Sequence, residues 1–90
     1  MKIIYKYSIQ ITDTQTLRIP SDAQILCVQM QGAQACLWAL VDSDAPLFAP
    51  RYIRVIGTGH AIANPEVLRY IGTIQLHEGS LIFHVFEEIK

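Results

Sequence analysis

The segment Arg51-Tyr52-Ile53-Arg54-Val55-Ile56-Gly57-Thr58-Gly59-His60 holds the side chains of this sequence best suited to chemistry. Two arginines and a tyrosine occupy a β-type run that ends in a glycine-flanked polar turn. Arginine's planar fork matches phosphate oxygens and base edges, and a tyrosine ring can stack on a base. Gly57 and Gly59 let the backbone turn sharply or approach a bound group closely, and amides in such a turn form a concavity for an anion. Alternation along a strand puts Tyr52, Arg54 and Ile56 on one face and Arg51, Ile53 and Val55 on the other. The candidate ligand-binding set is therefore Arg51, Tyr52, Arg54, Gly57, Thr58, Gly59 and His60, with Tyr7 as a second stacking ring. Its chemistry is recognition of a small anion; the plain alternative is a solvated strand face ending in a bulge. Ile56-Gly57-Thr58 also recurs as Ile71-Gly72-Thr73, preceded by Tyr70.

Bond-breaking chemistry finds no comparable support. Gly57-Thr58-Gly59 lacks the third glycine and the following helix of a dinucleotide fingerprint. Ser8, Ser21, Ser43 and Ser80 sit in no nucleophile elbow. The three histidines, His60, His77 and His84, have no compact ligand spacing, and neither cysteine belongs to a C-x-x-C pair, so the sequence predicts no zinc site. His84, inside the apolar run Ile82-Phe83-His84-Val85-Phe86, reads as a hydrogen-bonded histidine of a core or a subunit interface. Asp42 ends a buried run and reads as a partner for Arg51 or Arg54, and Trp38 reads as core. The expectation is a protein with no catalytic residue, metal or cofactor.

The elements that must position these residues are short strands. Residues 3–11 alternate, with Ile3, Tyr5, Tyr7, Ile9 and Ile11 on one face. A second run covers 16–19 and closes at Pro20. Residues 25–31 and 35–42 form a hairpin, the second arm apolar on both faces. A two-residue turn there sets Cys27 opposite Trp38 and leaves Cys36 a diagonal neighbour, a three-residue turn puts the two cysteines on opposite faces, and both registers argue against a disulfide. Residues 43–50, with two prolines, read as a loop. The arginine strand spans 51–58. Asn64-Pro65-Glu66 caps one helical turn with Pro65 at its first position. A closing hairpin joins 69–77 to 81–87 around Glu78-Gly79. The fold class expected is mainly β: one domain over residues 1–90, an antiparallel sandwich or partly closed barrel of about seven short strands, with at most one helical turn.

Composition narrows the partners. Of 90 residues 51% are hydrophobic and only 17% charged, below the roughly 25% charge of an average soluble protein. Mean hydropathy is +0.28. One small core cannot hold that much apolar surface, so a homodimer or homotetramer is expected. Net charge is −1 with no basic run, which argues against long nucleic acid, bound through many phosphates, but not against a nucleotide that needs one or two arginines. The longest apolar run, 35–41, falls far short of the ~20 residues of a membrane span, and the amino-terminal lysines do not suit a signal peptide. A cytosolic, membrane-free protein with reduced cysteines is expected.

Ile4-Tyr5-Lys6-Tyr7, Ile25-Leu26 with Gln29 and Gln31, Leu37-Trp38-Ala39-Leu40-Val41-Asp42, Gly57-Thr58-Gly59-His60, Tyr70-Ile71-Gly72-Thr73 and Phe83-His84-Val85-Phe86-Glu87 together resemble a family of short phage and prophage proteins, over nearly the whole chain. That family is similar to small phage anti-CBASS sponges, which assemble as oligomers and sequester cyclic nucleotide immune signals without cleaving them. The resemblance implies an immune-evasion sponge in the cytoplasm of an infected bacterium, with a cyclic nucleotide and its own copies as partners. It assigns no contact residues. A competing class is an oligomeric phage structural or protein-interaction module without a small-molecule ligand.

Overall fold

Period-two patterning becomes seven strands among the residues described by the computed structural model, 1–44 and 47–89. They are β1 (Lys2–Ser8), β2 (Thr14–Pro20), β3 (Gln24–Gln31), β4 (Gln34–Asp42), β5 (Phe48–Gly57), β6 (Leu68–Leu76) and β7 (Leu81–Glu88). Two antiparallel sheets result, ordered β1-β4-β3 and β2-β5-β7-β6. They pack face to face as a sandwich and do not close into a barrel. Ile9, Val28, Ala35, Leu37, Ile53, Val55, Ile74 and Val85 form the larger core cluster, and Ile19, Ala23, Ala39 and Val41 a smaller one. Both clusters take alternate residues from their strands, as one buried face per sheet requires.

β5 and β6 both run antiparallel to β7, which lies between them, so they are parallel to each other. Residues 58–67 therefore cross over β7, and Pro65–Val67 makes one 3-10 turn with proline at its start. A second turn, His77–Gly79, is not helical in substance: His77, Glu78 and Gly79 have φ of 50, 57 and 89°, all left-handed.

Several boundaries move, each for a local reason. β1 stops at Ser8 instead of residue 11; Ile9 is buried, and the Gln15 side chain binds both the amide (2.9 Å) and the carbonyl (2.6 Å) of Gln10, turning the chain toward the other sheet. β5 begins at Phe48, inside the segment expected to be a loop, whose Ala45 and Pro46 lie outside the described residues. Pro50 is tolerated because β5 pairs there only with β2; pairing with β7 starts at Tyr52, so proline's missing donor faces an unpaired edge.

Cys27 faces Trp38 and Cys36 faces Gln29, the register expected of the two-residue turn, and both cysteines are free. Trp38 departs from its expected place: it is half-buried on the outer face of the three-stranded sheet, while Leu37 and Ala39 point into the core. On that outer face Lys6 Nζ donates to Gln31 Oε1 (2.5 Å) across β4, at the level of fully buried Cys36. Asp42 pairs with neither arginine. Its carboxylate accepts from the Asp44 amide and from the amino terminus (both 3.0 Å), and these bonds hold it below the usual carboxylate range.

The sheets approach most closely where β6 passes β3. A Cβ at Gly72 would lie 2.8 Å from Val28 Cγ1, and Val28 is itself buried. Gly72→Ala should therefore destabilise the protein by about 1–3 kcal/mol, the usual cost of overpacking. Val28→Ala should absorb most of that cost in the double variant. Urea denaturation of the four proteins checks this; equal costs of Gly72→Ala in both backgrounds would contradict the contact.

Candidate functional site

Two charges sit on the core-facing parity of their strands. Arg51 shares its face of β5 with Ile53 and Val55, and Glu87 shares its face of β7 with Val85. Glu87 is 5% exposed, the one charged side chain that is buried among the described residues. It is paired in place: Arg51 donates through Nε to one carboxylate oxygen and through Nη2 to the other (3.0 Å). Arg51 Nη1 donates to the Ala23 carbonyl at 2.8 Å, so every arm of the guanidinium has an acceptor. Hydrogen bonding to Glu87 holds the Arg51 pKa above its usual value against the opposing effect of burial. A two-pronged arginine–carboxylate pair of this kind fixes geometry as well as charge.

Beside this pair the sandwich is open. A cleft of about 290 Å³ is lined by Ala23, Ile25, Leu26, Arg51, Arg69 and Glu87 among others. A second hollow of about 270 Å³, lined by Pro50, Tyr52 and Ile89 among others, also touches Arg51, Arg69 and Glu87. The three charged residues therefore stand between two lobes. Arg69 is opposite Glu87 in the β6–β7 register, is exposed, and makes no ion pair with another described residue. With Arg51 balanced by Glu87, Arg69 gives the first cleft one net positive charge, while the second hollow is also lined by Glu88.

The residues singled out from sequence divide between places. Arg51 and Tyr52 both border the second lobe, from opposite faces of β5. Arg54 lies on the outer face, where its Nε donates to the Asp13 carbonyl (3.0 Å) and its Nη1 to Glu88 (3.4 Å). The Gly57–His60 turn is six residues from Arg51, roughly 20 Å along a strand. Two of its amides are engaged within the protein, that of Thr58 on Ile82 O (3.4 Å) and that of His60 on Gly57 O (3.1 Å). The His60 ring lies against Gly57, 3.1 Å from where a Cβ would stand, and Gly59 supplies the left-handed φ of 86°. Tyr7 lies on the other sheet, packed against the smaller core cluster and edge-on to Tyr5. Sequence reasoning passed over Arg69 and Glu87. For Glu87 the signal was present, since a charge on the parity of Val85 must be paired or must face a cavity; Arg69 alternates out of step with Ile74 and Leu76 and reaches Glu87's face only through the register break at Ile71.

The repeated Ile-Gly-Thr has its own explanation. β5 and β6 flank β7, and the two threonines converge on His84 between them. Thr58 Oγ1 lies 2.7 Å from His84 Nε2, Thr73 Oγ1 lies 3.0 Å from Nδ1, and the Tyr70 hydroxyl lies 2.5 Å from Thr73 Oγ1. Thr58 Oγ1 also reaches the Ile82 carbonyl at 3.5 Å. Every hydroxyl hydrogen finds an acceptor here when Tyr70 donates to Thr73, Thr73 to Nδ1, Nε2–H to Thr58 and Thr58 to Ile82 O. The neutral ring should therefore carry its proton on Nε2. Nitrogen-15 imidazole shifts check this; a proton on Nδ1 would reverse the chain. His84 is hydrogen-bonded, as its sequence setting suggested, but it lies half-buried on the outer face of the sheet, opposite in parity to buried Val85, and not in the core.

Among the described residues no group of three or more His, Cys, Asp and Glu side chains converges, and no helix is long and apolar enough to cross a membrane. A family model described as a domain of unknown function, DUF7352, matches residues 1–90, so the chain belongs to that family. No curated protein and no solved structure matches it.

Proposed function

We propose that this member of the DUF7352 family is a phage-encoded sponge: it binds a cyclic nucleotide defence signal in the Arg51–Glu87–Arg69 cleft and holds it without cleaving it. The observation that carries this reading is Arg69, a guanidinium with no ion-pair partner among the described residues, held at the junction of two lobes beside a preorganised ion pair. Each lobe lies near the lower limit of ligand sites, about 300–1,000 Å³. One lobe suits a single base, and two lobes meeting at a cation suit two bases joined through phosphate. Arg69 would take the phosphate. Glu87, whose oxygens keep lone pairs beyond those Arg51 uses, would accept from a base N–H. The protein acts as a homo-oligomer in the cytoplasm of the infected host, and no catalytic step is part of the reading.

Titration calorimetry against cyclic dinucleotides, cyclic trinucleotides and cyclic ADP-ribose isomers tests this. At least one should bind with a stoichiometry of one site per cleft or one per pair of clefts. Absence of binding across the panel would favour the second reading, a protein-interaction module. That reading draws on exposed Leu47, Phe48, Ile4 and Leu26, large apolar side chains that an isolated monomer leaves in water.

A further inference from the structure

We propose that β1 is the seam of a symmetric dimer, pairing antiparallel with β1 of a second copy so that the two three-stranded sheets join into one of six strands. The inference goes beyond the ligand reading and does not depend on it. Four strands end sheets here, and three of them are obstructed as pairing edges. β2 ends in Pro20. β3 has a register break at Leu26 and β6 one at Ile71, and these two strands approach each other at Val28 and Gly72. Bulges, proline and covering chain are the usual protections of an edge. Among the described residues β1 shows none of them: its seven residues include no proline and pair with β4 without a shift. Lysines can also protect an edge, but Lys6 is bonded back to Gln31 and Lys2 leans on Asp22 at 3.9 Å. Between them Ile4 is 58% and Tyr5 49% exposed.

Charge and overlap together select the register. Residues opposite each other must share a face, so the two-fold axis has to pass through a residue position. An axis at Ile4 would set Lys2 against Lys6 of the second copy, and an axis at Lys6 would oppose two lysines directly; like charges in these positions destabilise a pair. An axis at Tyr5 pairs all seven residues. It sets Tyr5 on Tyr5, Ile3 on Tyr7, Ile4 on Lys6 and Lys2 on Ser8, with no like charges directly opposite and lysines only at the longer diagonal distance. The interface is self-complementary, as a two-fold contact must be.

The test uses the full chain. Sedimentation equilibrium should give about 20 kDa, twice the chain's 10.1 kDa. Ile4→Lys brings a lysine opposite Lys6 twice and should raise the dimer dissociation constant about tenfold or more. Ile4→Lys/Lys6→Glu turns both contacts into opposite-charge pairs and should restore dimerisation, with circular dichroism confirming that each variant folds. Independently, Tyr5→Cys in a Cys27→Ala background should form an intermolecular disulfide on mild oxidation, since residues opposite on paired strands have Cα atoms about 4.5–5.5 Å apart. Thr16→Cys on β2 should not. A monomeric wild type, an unaltered dissociation constant in Ile4→Lys, or a Tyr5→Cys variant that stays uncrosslinked would each overturn the proposal.

Discussion

Glu87→Ala should cost the fold about 3–5 kcal/mol, because it leaves the Arg51 guanidinium enclosed without its counter-charge. The Arg51 side chain is 18% exposed and that of Glu87 6%, so water cannot replace the lost carboxylate as it would at the surface. Total stabilities of 5–15 kcal/mol are usual for domains, so the loss is a large fraction of what holds a 90-residue chain together. Arg51→Met should cost a similar amount by stranding the carboxylate. Arg51→Met/Glu87→Leu should recover most of the stability, since a buried pair replaced on both sides by apolar groups of similar volume is often neutral. Urea unfolding of the four proteins gives the coupling energy directly. Additive costs in the double variant would show that the two side chains do not act as a pair.

Arg69→Ala should leave stability close to wild type and weaken nucleotide binding. Arg69 is exposed and makes no ion pair among the described residues, so its removal strands no buried charge. A hydrogen bond to a charged group contributes about 1.5–3 kcal/mol, so affinity should fall roughly tenfold to a hundredfold. Arg54→Ala provides the contrast. That guanidinium is committed to the Asp13 carbonyl and Glu88 on the outer face, so its loss should change affinity little. Calorimetric titrations of both variants distinguish them; the reverse order of effects would move the site to the outer face of β5.

Most of the architecture was legible because one-sided burial forces a period of two. The alternation of Tyr52, Arg54 and Ile56 against Arg51, Ile53 and Val55 fixed the faces of β5, whereas the turn at Gly32 left two registers open, of which the structure takes the one with Cys27 opposite Trp38. The site was harder to read. Alternation places residues on a face of one strand, but which strands become neighbours depends on tertiary packing. Arg51 and Glu87 meet only because β5 pairs with β7 and not with its sequence neighbour β6. The glycine turn attracted attention through composition, yet its Thr58 was the partner of a histidine 26 residues away. The breaks at Leu26 and Ile71 left no local mark, since bulges arise where two sheets must fit each other.

The cleft's role is tested most directly by loading the protein with a cyclic nucleotide that binds it, removing unbound ligand by desalting, and denaturing the complex by heat. Chromatography with mass detection of the supernatant should then recover the nucleotide intact and in stoichiometric amount from wild type, and in much smaller amount from Arg69→Ala. Recovery of linear or hydrolysed products would contradict sequestration, and equal recovery from Arg69→Ala would contradict the assignment of the cleft.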